Sequence, residues 1–379
     1  MNELQTKLYK DLMTLVDTDE AFFYADSVLD DANYRIFNYR LASYSQWLND
    51  GALECRGVTF EVDDNGDARR LVSWPFTKFF NLNENPFVMD LDLTKVTHVY
   101  DKMDGSLISS MVLPDRTMWL KSKGSLFSSQ AQAANKLIRQ PEHKKLLKFV
   151  EGRVRNEFTV IMEYTAPDNR IVVPYDKPAL TILGVRCNDT GSDIDLDHFR
   201  YDRHDPADSI EEYLVPIRKY DATELLQTLD EMKGIEGFIF VFEDGMRVKI
   251  KTEEYRVLHK VKDSINSKKQ LFEACVYDTA DELRALFYDD AQAITLIDEM
   301  EDKVNTIYNH MVDTVERFYD RNKGLERKDY AILGQKELES IHFGLAMNKY
   351  IGRPVEYKDA MVKNRISYGI KDDPVVPPS

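Results

Sequence analysis

Asp101-Lys102-Met103-Asp104-Gly105-Ser106 sets one lysine between an apolar strand pattern and a second strand that starts at Leu107. Val96, Val99 and Tyr100 lead into it as a half-buried strand. A lysine amine attacks a phosphorus or carbonyl centre only when unprotonated, so a nucleophilic lysine needs partial desolvation or neighbouring positive charge. Asp104 can hold an adjacent hydroxyl or ribose group, and Gly105 lets the backbone approach a phosphate closely. Lys102 therefore reads as a candidate nucleophile. Alone, Lys-x-Asp-Gly is a short pattern and ordinarily an exposed turn. What the rest of the chain places around it decides the reading.

A chain of 379 residues exceeds what one core usually supports, so two domains are expected. Its net charge of −16 argues against loose, non-specific nucleic-acid binding, because the whole field repels a polyanion. A local lysine cluster still dominates at contact range under physiological screening. No apolar run has the length of a membrane span. Leu4, Leu8, Leu12 and Leu15 recur at helical spacing among charged residues, which predicts an amphipathic helix rather than an export signal. Cys55, Cys187 and Cys275 are odd in number and far apart, suited to neither a zinc cluster nor a disulfide framework. A cytoplasmic protein is expected.

Upstream of Lys102, Tyr34 to Tyr39 alternate as a strand within an aromatic-rich stretch. Glu54 to Phe60 reads as a strand in which Arg56 offers planar donors to a phosphate or carboxylate, or else forms a structural ion pair with Glu54. Asp63-Asp64-Asn65-Gly66 is a hairpin turn. Lys78 stands inside the aromatic run Trp74 to Asn81, an unusual place for a merely solubilising charge.

Downstream, Leu107 to Val112 and Met118 to Lys121 are predicted strands that deliver Lys121-Ser122-Lys123-Gly124-Ser125. Lys121 and Lys123 share one face of an extended chain, and that face can meet phosphate. Helical patterns cover Ser128 to Leu137 and Glu142 to Val150. Thr159 to Tyr164 is an apolar strand closing on Glu163, a carboxylate that is costly there unless paired or used on a metal or sugar hydroxyl. Leu180 to Arg186 is another buried strand. Asp193, Asp195 and Asp197 alternate as in a calcium loop, but His198 and His204 occupy the positions that require glycine and glutamate, so that reading is rejected. Glu236-Gly237 opens a hairpin whose returning strand presents Lys249 and Lys251 on one face. Beyond Tyr255 strand signals vanish. Ile294 to Phe318 and Leu333 to Met347 read as helices, and the last eight residues as a frayed tail.

The order Lys102-x-Asp104-Gly105, Glu163, Glu236-Gly237, Lys249-Ile250-Lys251 resembles the covalent nucleotidyltransferases, the polynucleotide ligases and messenger-RNA capping enzymes. More narrowly the chain resembles the bacteriophage RNA ligase 1 family, the tRNA-repair ligases. Tyr34 to Phe37, Glu54 to Gly57, Lys78 to Phe87 and Ser122 to Ser125 carry that likeness, which is dense from Phe22 to Tyr255 and thinner after it. The resemblance implies an α+β fold: a nucleotidyltransferase domain of ATP-grasp-like antiparallel sheets with flanking helices over 1–255, then an all-α domain over 256–379 tied to RNA or tRNA specificity.

It further implies that Lys102 attacks ATP, holds AMP, passes it to an RNA 5′-phosphate, and lets an RNA 3′-hydroxyl seal the strand. Lys249 and Lys251 would stabilise the α-phosphate; Arg56, Lys78 and Lys123 would contact the triphosphate; Tyr39 and Phe80 would lie near the nucleotide. Glu163 would meet the ribose and Glu236 would organise Mg2+, with Asp281 and Glu282 holding a second cation. Nicked tRNA, an end-healing kinase or phosphatase, and the cytoplasm of an infected bacterial host complete the expectation. Met103 departs from relatives with an acidic residue there, at a position that only spaces its neighbours. DNA ligases and capping enzymes share the lysine chemistry but usually continue into a small β-barrel, whereas this continuation is helical. A non-catalytic RNA-binding module would show a basic surface with stacking aromatics, unlike this acidic chain.

Overall fold

The computed structural model describes residues 1–169, 171–200, 209–219, 221–287 and 290–371. It separates into two compact units, Met1–Arg256 and a second that begins at Val257. In the first unit, β1 (Phe22–Leu29), β2 (Ala32–Tyr39), β3 (Thr59–Val62) and β4 (Ala68–Ser73) form one antiparallel sheet in sequential order. Asp30 and Asp31 close the first hairpin with φ of 48° and 57°, the geometry that matches the twist of the flanking strands. The strand expected from Glu54 starts only at Thr59. Ala52–Glu54 forms a 3-10 turn, and Gly57 takes φ 92°, a left-handed conformation that interrupts extension.

The remaining strands are β5 (Phe80–Asn81), β6 (Val96–Lys102), β7 (Ser106–Val112), β8 (Met118–Ser122), β9 (Phe158–Thr165), β10 (Ala179–Cys187), β11 (Asp193–Ile194), β12 (Ile217–Arg218), β13 (Gly237–Phe242) and β14 (Arg247–Lys251). They make a second sheet ordered β12-β6-β13-β14-β5 and a third ordered β11-β10-β9-β7-β8. Pairing is antiparallel except between β14 and β5. Helices Ser129–Ile138 and Lys144–Arg155 set Leu137, Ile138, Leu146, Val150 and Val154 into one core with the third sheet. Pro141 opens a 3-10 turn, so the second of these helices begins at Lys144. Helix Glu3–Thr18 buries Leu8, Leu12 and Leu15 in a separate core with Phe37 and Phe60.

Every regular element described in the second unit is helical, the longest being Ala291–Asn322, whose Ile297, Val304, Met311, Val315 and Phe318 face the core. The single helix expected over Leu333 to Met347 is two, Arg327–Glu337 and Ser340–Tyr350, because Leu338 and Glu339 are extended. Among the described residues no helix is long and apolar enough to cross a membrane.

Candidate active site

The second and third sheets meet at Lys102. β6 runs into it, and Met103 to Gly105 carry the chain straight into β7. Lys102 is in register with Gly237 of β13, and Gly237 with Lys251 of β14. In the next like-facing row Tyr100, Ile239 and Lys249 align, with Asn81 of β5 beside Lys249. Residues two apart on a strand share a face, so Lys102, Lys249 and Lys251 project together. Glu236, only 3% exposed, completes the row: its Oε1 lies 2.6 Å from Lys102 Nζ and 3.2 Å from Lys251 Nζ. Glu163, on β9 beside Leu107 of β7, is buried. Burial pushes its carboxyl up to about 8, with Lys102 opposing the shift and Glu236 adding to it.

A second group of cations surrounds Tyr39, at the end of β2. Lys78 Nζ donates to the Tyr39 hydroxyl at 3.1 Å, and Lys123 Nζ stands 5.3 Å from the Tyr39 ring centre. Burial pushes the Tyr39 phenol up, but Lys78, Arg56 and Lys123 outweigh it and hold the phenol below its ordinary value. Burial lowers Lys123, and Tyr39 opposes that shift. Burial, reinforced by Arg56, Lys78, Lys102 and Lys251, holds Lys249 well below the usual lysine range. Arg56 and Lys249 both lie over the Phe79 ring, at 5.8 and 5.0 Å. The Arg56 Nη1 is buried without a hydrogen-bond partner. Among the described residues no carboxylate pairs with Arg56, Lys78, Lys123 or Lys249, whereas Lys102 and Lys251 share Glu236. Cations gathered around one phenol, with no paired carboxylate among the described residues, can meet an anionic group.

Residues 54–255 match the family model described as RNA ligase, and residues 262–371 match the model for the T4 RNA ligase 1 C-terminal domain. The chain belongs to the bacteriophage RNA ligase 1 family. The RNA ligase of Rhodothermus phage RM378 is 24% identical over 353 residues, covering 74% of this chain and 77% of the relative. RNA ligase 1 of bacteriophage TS2126 is 23% identical over 290 residues, covering 74% and 69%. A solved archaeal ATP-dependent RNA ligase aligns with a TM-score of 0.47 at 12% identity, over 83% of this chain and 82% of that one.

In this RNA ligase several site residues differ from what the sequence suggested. Asp104 is 1% exposed and braces the fold: Oδ2 accepts from the Val172 and Val173 N–H groups at 2.7 Å each, and Oδ1 accepts from the Tyr255 hydroxyl at 2.7 Å. It is therefore not aimed at a ribose. Gly105 is required by packing rather than by a phosphate, since a Cβ there would come within 2.3 Å of the Tyr164 carbonyl oxygen. Glu54 does not pair with Arg56. It binds Arg186 through two contacts of 2.8 and 2.9 Å and accepts from Trp74 Nε1 at 2.8 Å, which leaves the Arg56 guanidinium to the site. Phe80 is buried in the core, stacked on Phe87 with its centroid 5.7 Å away, and supports the Lys78 amine at 5.2 Å.

Asp281, in the second unit, is 91% exposed and pairs with Arg284, while the Glu282 side chain lies outside the described residues. In the rejected calcium loop Asp193 pairs with Arg247, and Asp195 and Asp197 turn toward His98; His204 lies outside the described residues. Phe79, Tyr175 and Tyr255 were missed. Phe79 had a signal in its place beside Lys78. Tyr175, whose hydroxyl accepts from the Asp104 N–H, had none.

Proposed function

We propose that this RNA ligase is ATP-dependent and joins RNA ends through a covalent Lys102–AMP adduct. One observation carries the reading: a strand-end lysine, held by Glu236, fronts a set of cations that have no paired carboxylate among the described residues. Once its proton has been given up, the Lys102 amine attacks the α-phosphorus of ATP, and the new P–N bond forms as the bond to pyrophosphate breaks. An RNA 5′-phosphate oxygen then takes the AMP, breaking the P–N bond and releasing Lys102. Finally an RNA 3′-hydroxyl oxygen attacks the activated 5′-phosphorus and expels AMP.

Lys249 and Lys251 would offset the charge that develops on the α-phosphate in each step. Arg56, Lys78 and Lys123 would receive the β- and γ-phosphates. Glu163 would meet the ribose, and its elevated carboxyl is then a hydrogen-bond donor at neutral pH. The donors fit magnesium, which ordinarily takes one or two carboxylates together with phosphate oxygens. Glu236 would hold it, and the bound ion would neutralise phosphate charge. The natural substrate we propose is a nicked tRNA whose ends a kinase and phosphatase have prepared.

The test is incubation with α-labelled ATP and magnesium followed by mapping of the label. Label on Lys102, absent from Lys102→Ala, is expected; equal labelling by GTP would point to capping chemistry instead. If nicked duplex DNA were sealed faster than a broken anticodon stem-loop, the RNA-repair assignment would fail.

A further inference from the structure

Lys121 is a lysine with no part in the chemistry above, yet it is 0% exposed. Its Nζ donates to the Gly57 carbonyl at 2.7 Å and to the Ser122 carbonyl at 3.2 Å. Among the described residues no carboxylate pairs with it, and burial alone brings the amine down to about 7. Two carbonyl acceptors satisfy the two N–H groups of an uncharged amine, whereas an ammonium would carry a third donor with nothing to meet it. An apolar side chain would fill this space at lower cost, so the amine is retained for what it joins.

The junction connects three segments of the anion receptor. Gly57 follows Arg56, and its N–H donates to the Phe37 carbonyl at 2.8 Å, two residues before Tyr39. Ser122 precedes Lys123, whose carbonyl accepts from Asn38 Nδ2 at 3.4 Å. A Cβ on Gly57 would lie 2.8 Å from the Lys123 carbonyl oxygen, so the two turns already touch. The Lys121 amine is the side chain that spans both.

We infer that Lys121 is a positioning residue for the nucleotide step: its amine fastens the Arg56–Gly57 turn to the Ser122–Lys123 turn, so that Arg56 and Lys123 present one receptor to the triphosphate. The inference rests on the ATP-dependent reading above. It separates the steps of the reaction, because capture of the triphosphate needs this receptor and closure of an already adenylylated RNA end does not.

The experiment compares the wild-type protein with Lys121→Met, which keeps length and loses both donors, and Lys121→Gln, which keeps an NH2 group. The KM for ATP and the rate of Lys102 labelling are measured beside sealing of pre-adenylylated RNA. Lys121→Met is expected to raise the KM about tenfold or more, the worth of a lost positioning contact. Sealing of pre-adenylylated RNA should stay within about threefold, and Lys121→Gln should recover part of the KM. Equal losses in both reactions, or an unchanged KM, overturn the inference and leave Lys121 a packing residue. Should Lys121→Met fail to fold, Lys121→Gln decides: a KM raised about threefold with sealing of pre-adenylylated RNA unchanged supports the inference, and an unchanged KM or equal losses in both reactions overturn it. A wild-type protein that seals pre-adenylylated RNA but takes no label from ATP overturns the ATP-dependent reading itself, and this inference with it.

Discussion

Glu236 stands between Lys102 and Lys251, whereas Arg56, Lys78, Lys123 and Lys249 share little more than the Tyr39 phenol and the Phe79 ring. The two groups carry the same sign of charge and lie close enough in the first unit for both to act on Lys249. They differ in how that charge is met. In the first the protein supplies its own anion; in the second it holds cations together with no paired carboxylate among the described residues, and on the reading proposed above the anion comes with the ligand. Two like charges 4 Å apart repel by about 4 kcal/mol at an effective dielectric of 20, so the second group persists only because the surrounding fold constrains it. Binding in such a site relieves strain that folding has already imposed.

Removing charge from each group in turn sharpens this contrast. Glu236→Gln should slow Lys102 labelling on the order of 10³-fold and lower the melting temperature, because two half-buried ammonium groups lose their common partner. Lys249→Met should slow labelling on the order of 10²-fold while the melting temperature holds or rises, since a like charge is withdrawn from a crowded cluster. A parallel fall in stability for both variants would erase the distinction.

The second group also depends on a carboxylate outside it. Glu54 neutralises Arg186, which in turn donates to the Pro75 carbonyl at 2.6 Å and so ties down the segment leading to Lys78. Glu54→Ala is expected to cost about 3 kcal/mol in urea unfolding, because Arg186 remains buried without its partner. Glu163 gives the smallest effect, in a pH profile. Its carboxyl titrates near 8 in the folded protein against 4.5 ordinarily, so between those values the folded state binds more protons and stability falls as pH rises. Glu163→Gln should therefore gain steadily on the wild type as pH climbs from about 5 to about 8.5. A constant difference across that range would mean that Glu163 is ionised throughout.

The strands and hairpins around the site were legible because alternation and turn residues are local signals: the hairpin opened by Glu236-Gly237 and its returning strand with Lys249 and Lys251 appear as read. The lysines were legible through their order along the chain. What escaped was anything fixed by distant partners. Glu54 and Arg186 are 132 positions apart, and Asp104 and Tyr255 are 151, so nothing beside either carboxylate announced its occupation. Lys121 was read together with Lys123 as a phosphate contact. β8 does turn Lys121 inward, but its amine ends beneath the carbonyls of Gly57 and Ser122. The break at Leu338-Glu339 likewise had no glycine or proline to mark it.

Lys102 ends a strand of one sheet, and three residues later its chain enters another. A nucleophile mounted on such a seam belongs wholly to neither wall. In the mechanism proposed, variation on the Glu163 wall can reshape what is accepted beside the sugar, and variation on the Lys249 wall what is accepted along the phosphates, while the reacting atom keeps its address. That separation offers a physical route by which one chemistry can be lent to many cargoes.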